Sequence, residues 1–295
     1  MQPTEISLRT DGGGSRSPRS VRERSREESE PMIRQLLDRV GVDRTKLNPT
    51  IFDRLVLLDQ RSPFMEDEAR CMALAEQVFA FAEEEEMAWR DQEKHLVLKG
   101  TLLSDIGKTG PKDARPDQAE LVVKIFTIEN VTDPARRTME ALFREEYVRE
   151  YPMDDVEERM QAFQDLGLSL TMTIRQFYNK HAEWTAEIIN HDGIGSEVIA
   201  IASLHHVLEG VNPEGFLRED GSLSHAGGNA RFDRPEKLVI LLDKYDAARQ
   251  RSEKTHAEAI QYLRDYIGKS ERFGDDEEFQ KLITLLDHSL KSLVP

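Results

Sequence analysis

The chain has 295 residues, with 40 Lys and Arg against 56 Asp and Glu, for a formal net charge of -16. That balance makes the bulk surface repel nucleic acid backbones and anionic membranes, so nucleic acid is not an expected partner, although a few local cations can still receive an anionic ligand. The single cysteine, Cys71, excludes an internal disulfide framework. No apolar run approaches the roughly 20 residues that cross a bilayer, and residues 1–20 lack the apolar block of a secretory signal, so a cytoplasmic protein without membrane contact is expected.

In chain order, residues 1–30 are rich in Gly, Ser, Arg and Glu and nearly free of large apolar side chains, the composition of a disordered tail. An N-terminal helical segment is expected over residues 31–62. Ser62-Pro63 announces a helix, because proline suits the first helical position. Its stripe Met65, Ala69, Met72, Ala75, Phe79, Ala82 is spaced three and four residues apart, and residues 83–86 should face water. A second helix leads into Leu102-Leu103-Ser104-Asp105 and stops at Gly107 and Gly110. Residues 121–128, rich in β-branched side chains, read as helix or strand. Asp133-Pro134 starts another helix, and Asp154 or Asp155 starts one more that ends near Gly167. The expected fold class is all-α.

Two later helices carry the chemistry. Over residues 169–190 the inward stripe is Leu170, Ile174, Phe177, His181, Trp184, Ile188, and over residues 196–209 it is Val198, Ile201, His205, Leu208. A further helix over residues 235–249 places Asp243 directly after five apolar residues, where a buried carboxylate needs a cation or several donors. One inward His alone is most often a core residue bonded to a carbonyl. Asp105 at a helix end, His181, the pair His205-His206 and Asp243 together combine imidazole and carboxylate in the core of a helix bundle, a ligand set for one or two divalent ions such as Fe or Mn.

Ser104-Asp105-Ile106-Gly107-Lys108 resembles the His-Asp-Ile-Gly-Lys motif of the HD superfamily of metal-dependent phosphohydrolases. The rest resembles the order of its HD-GYP branch: Asn179-Lys180-His181, then Leu204-His205-His206-Val207-Leu208-Glu209-Gly210, then Asp243-Lys244-Tyr245-Asp246-Ala247-Ala248. The resemblance covers residues 65–263. It implies an HD-domain helical bundle over residues 63–268, an inserted helical segment at 111–165, and a C-terminal helix within 269–295. Met139, Leu142 and Phe143 would give the insertion an apolar face, suited to a lid or a homodimer surface.

The pattern also departs from the family. The first motif His is Ser104 here, the earlier His of a His-x-x-Arg pattern ending at Arg70 falls on Asp67 or a neighbouring Glu, and Gly-Tyr-Pro is replaced by Val211-Asn212-Pro213. Carried over residue by residue, one metal position keeps Asp105, His181, His205 and His206. The other is reduced to Asp105 and Asp243, with Asp67 as a candidate ligand. A mononuclear site is therefore expected, and a dinuclear one only if carboxylates substitute. Lys108 stands where the family's lysine faces the substrate phosphate, and Arg249, Arg251 and Lys254 stand near its later phosphate contacts. For those last three, simple complementation of a helix dipole competes evenly. The resemblance implies a metal-dependent phosphohydrolase or phosphodiesterase acting on a nucleotide or cyclic dinucleotide such as cyclic di-GMP, with Asp105 and Lys108 catalytic. Loss of two ligands supports the alternative, a degenerate domain that serves as a nucleotide- or protein-binding regulatory module.

Overall fold

Apolar stripes with helical spacing run through most of the chain, and a computed structural model, which describes residues 23–85, 88–129, 131–191, 193–225 and 228–291, shows an all-α fold built on them. Residues 1–22 of the expected tail, Glu86 and residues 292–295 lie outside the described residues. Helix α1 (Arg26–Arg39) begins inside the stretch expected to be disordered. Ser25 and Glu28 form a capping box, Ser29, Ile33 and Leu37 are buried, and Arg24 reaches Asp59 at 2.6 Å. Composition averages over all faces of a segment, so a helix with one narrow buried stripe and a charged remainder is hidden by it.

Helix α2 (Pro49–Arg61) pairs with α1 and ends at Ser62, where α3 (Phe64–Glu84) takes over after Pro63. Met65, Met72, Ala75, Phe79 and Ala82 of the expected stripe are buried, and Ala69 is half-buried. Helix α4 (Asp91–Ser104) packs against α3 and against three later helices, α9 (Ile174–Ile189), α10 (Ser196–Ser203) and α11 (Arg234–Gln250). The crossing with α10 is close because Gly100 has no side chain, for a Cβ there would lie 2.2 Å from Ile201 Cγ2. Helices α12 (His256–Gly268) and α13 (Glu277–Leu290) close the bundle over α11 and α3.

The segment at 111–165 is helical, as expected. Residues 121–128 resolve into helix α5 (Pro116–Thr127), started by Pro116 and the Arg115–Gln118 capping box. Asp133-Pro134 does not start a helix. Asp133 takes a positive φ of 46°, and the following backbone is recruited by the approach to α9, with Arg175 N–H donating to the Pro134 carbonyl at 2.7 Å and Ile174 N–H to Arg137 at 2.9 Å. The next helix starts at Thr138, which caps α6 (Met139–Leu142), and continues through a π-helical turn, Phe143–Tyr147, into α7 (Val148–Glu150). Helix α8 (Val156–Asp165) is capped by Asp155. Met139, Leu142 and Phe143 are fully buried within the chain, Phe143 against Phe163 and Phe163 against Phe177, so the apolar face expected of this segment is turned onto the bundle.

Residues 196–209 are not one helix. α10 ends at Ser203, and Val207–Glu209 forms a separate 3-10 turn, so both histidines of the pair lie beyond the helix end. An unexpected hairpin pairs β1 (Ser222–His225) with β2 (Gly228–Arg231), entered through Gly221 at a φ of +79°. Among the described residues no helix is long and apolar enough to cross a membrane.

Candidate metal centre

The centre is assembled where the end of α4 meets α9. Asp105 caps α4, and Ile106–Thr109 form a 3-10 turn lying on α9. Gly107 is required by proximity, since a Cβ there would fall 1.9 Å from the His181 carbonyl oxygen and 2.6 Å from Thr185 N. Its N–H donates to Thr185 Oγ1 at 3.0 Å, and that hydroxyl donates to the Ser104 carbonyl at 2.8 Å. Buried Arg54 of α2 donates to the carbonyls of Thr109, Pro111 and Ala114, which fixes the chain as it leaves the turn. Asp105 and His181 are thereby held together by backbone contacts.

His181, His205 and His206 place ring nitrogens within 4.8 Å of one another. Their hydrogen bonds divide them. His181 Nδ1–H donates to the Tyr178 carbonyl at 2.5 Å, and His205 Nδ1–H donates to the Ala202 carbonyl at 2.6 Å. A neutral imidazole carries one proton, so both Nε2 atoms present lone pairs, and they face each other at 2.8 Å. Burial, together with the neighbouring His206, lowers the pKa of both rings, that of His205 to about 3, so a proton between them is disfavoured. With bonds of about 2.1 Å, a nitrogen pair this close subtends roughly 85° at an ion, close to the cis angle of octahedral coordination. Bonding the outer ring N–H to a carbonyl is also how ligating histidines are ordinarily oriented. Two lone pairs and an adjacent carboxylate fit a first-row divalent ion.

His206 differs. It is half-buried, and its Nδ1 lies 3.3 Å from Lys244 Nζ and 3.4 Å from Glu209 Oε1. Asp105 splits its oxygens: Oδ1 lies 3.6 Å from His181 Nε2, and Oδ2 accepts from Lys108. Lys108 is buried and sits over the Phe64 ring at 4.0 Å. Asp243 is half-exposed and bonded to Lys244 at 2.9 Å. Burial opposes its ionisation, but the Lys244 ammonium holds its carboxyl far below the usual range. Asp67 pairs with Arg70, and Arg251 lies 3.9 Å from its Oδ2.

Beside Asp67 and Asp105 lies a hole of about 20 Å³, also lined by Glu68, Ser104, Asp243 and Arg251. Glu68 is buried, and desolvation plus the Asp105 charge push its pKa well up. The Ser104 hydroxyl lies between two acceptors, donating to Glu68 Oε1 at 3.0 Å or to the Thr101 carbonyl at 2.9 Å. Pattern reading left open whether Asp67 or a neighbouring Glu stands here, although Glu68 lies three residues from Met65 and four from Met72 on an inward face. It missed Lys244, for which adjacency to Asp243 is no signal.

A cavity of about 610 Å³ opens onto the histidines, lined by Asp105, Lys108, His181, His206, Asp243 and Lys244. Arg251 and Arg175 add cations, and Phe126 and Tyr178 an aromatic wall whose rings are 5.5 Å apart. Of the three later cations expected at phosphate, only Arg251 lines it. Arg249 turns away to donate to the Lys254 carbonyl at 2.5 Å, closing the turn between α11 and α12, and Lys254 follows that turn. Comparison of the chain with protein-family models, curated proteins and solved structures finds no match.

Proposed function

We propose that this protein is an HD-type metal-dependent phosphohydrolase, related to the HD-GYP branch, which cleaves a phosphate ester of a nucleotide or cyclic dinucleotide with one divalent ion held by His181, His205 and Asp105. The observation that carries this reading is the pair of Nε2 atoms facing each other at 2.8 Å beside a carboxylate, with both Nδ1 atoms already bonded to carbonyls, an arrangement that suits a cation. A divalent ion bound there supplies Lewis-acid activation of water and draws charge from the phosphoryl oxygens. The chain supplies the rest. The Tyr178 and Ala202 carbonyls fix the two rings, Lys108 holds Asp105 in place, and Lys108, Arg251 and Arg175 offer cations to a phosphate ester from a lining that also carries Glu129 and Glu253. Phe126 and Tyr178 offer a flat face to a base.

The test is metal content of the purified protein, followed by hydrolysis of a bis-aryl phosphate and of cyclic di-GMP with added manganese. Turnover that tracks metal occupancy is expected; protein that neither carries nor binds metal would overturn the reading. A second reading, a regulatory module that binds a nucleotide without turnover, is favoured by the Glu68–Ser104 hydrogen bond at the position of the lost motif histidine. Metal retention and nucleotide binding without hydrolysis would select it.

A further inference from the structure

The ammonium group of Lys244 has three N–H donors and three ligand-type atoms around it: Glu209 Oε1 at 2.8 Å, Asp243 Oδ2 at 2.9 Å and His206 Nδ1 at 3.3 Å, the last also 3.4 Å from Glu209 Oε1. Glu209 comes from the 3-10 turn after α10, His206 from the residue before that turn, and Asp243 from α11. Lys244 is 7% exposed and lines the same cavity as Asp105 and His181. Two carboxylates and an imidazole nitrogen converging on one buried centre make a ligand set for a divalent ion. Here the cation at that centre belongs to the chain.

We infer that Lys244 is a tethered cation standing in a second ion position, and that it limits the centre to one divalent ion per chain. The inference rests on the metal reading above and departs from a simple carry-over of the family pattern, because it makes Asp243 and His206 partners of a lysine. An ammonium group supplies charge but no vacant coordination position, so it can neutralise a phosphate oxygen and cannot activate water. The Asp243 carboxylate, already matched by Lys244, contributes little to holding the ion between His181 and His205.

The experiment counts Co²⁺ ions bound by the metal-free full-length chain, using titration calorimetry and the visible absorption of the bound cobalt. One ion is expected for the wild type and for Asp243→Asn, whose affinity should change by less than about 10-fold, the least that loss of a ligand-supporting group costs. Lys244→Met should take up two ions, and adding Asp243→Asn to it should return the count to one. Two ions in the wild type, one ion in folded Lys244→Met, or loss of the ion in Asp243→Asn each overturns the inference while leaving the metal reading intact. No ion in the wild type overturns both. Should Lys244→Met fail to fold, the wild-type count and Asp243→Asn decide alone.

Discussion

The centre has a histidine face, carried by α9 and the end of α10, and a carboxylate face, carried by α3, the end of α4 and α11. Each buries several polar groups, and each must match them. On the carboxylate face the matching is internal. Arg70 binds Asp246 through two nitrogens at 3.0 and 2.9 Å and also Asp67, Lys108 takes Asp105, Lys244 takes Asp243, and Glu68 accepts from Ser104. On the histidine face two rings spend their N–H groups on carbonyls and are left with opposed lone pairs. Under the proposed function the ion would sit between these two acceptors, and the number of ligand-type residues nearby is a poorer guide. The acidic face holds more such residues and has less need of a metal.

The largest disruption of this arrangement should come from Gly107→Ala, which forces the Asp105 turn away from His181 because the atoms it meets are backbone. A loss of about 3 kcal/mol or more in urea unfolding is expected, with loss of the bound ion in whatever folds. His205→Ala breaks the histidine face alone; ion affinity should fall at least about 100-fold by calorimetry, since removing a ligand costs more than removing its support.

The two faces should also answer pH in opposite directions in the metal-free protein. Glu68 has a folded pKa above its usual 4.5, so its contribution is fully present below that value and is lost as pH rises through the folded value. His205 has a folded pKa lowered from 6.5 to about 3, so its contribution is present above 6.5 and is lost as pH falls toward 3. Glu68→Gln should flatten the alkaline fall in melting temperature and leave the acid limb unchanged; an unchanged alkaline limb would show that Glu68 is ionised in the folded protein. The smallest effect is expected for Arg249→Ala. It opens the α11–α12 turn without touching the cavity, so inorganic phosphate binding should stay within about twofold of wild type, as for a residue with no shared partner. Arg251→Ala should weaken it.

Much of this was open to reading in one dimension. The stripes of α3 and α9 repeat every three or four residues, so their buried faces follow from periodicity, and a polar residue on such a face stands out, as His181 does; Asp243 stands out instead by following five apolar residues on α11, a helix buried on most sides. Helix α1 did not stand out, because its buried stripe is narrow in a charged segment, and Asp133-Pro134 carried a start signal that contacts with α9 overrode. What only the tertiary structure decided is which group neutralises which. Arg70 meets Asp246 across 176 positions, Ser104 meets Glu68 across 36 and Lys244 meets His206 across 38, and no local pattern encodes such pairs. Electrostatic matching depends on distances of a few ångströms between elements that packing brings together, so residue types name the possible ligands and only the assembled bundle sets two ring nitrogens face to face.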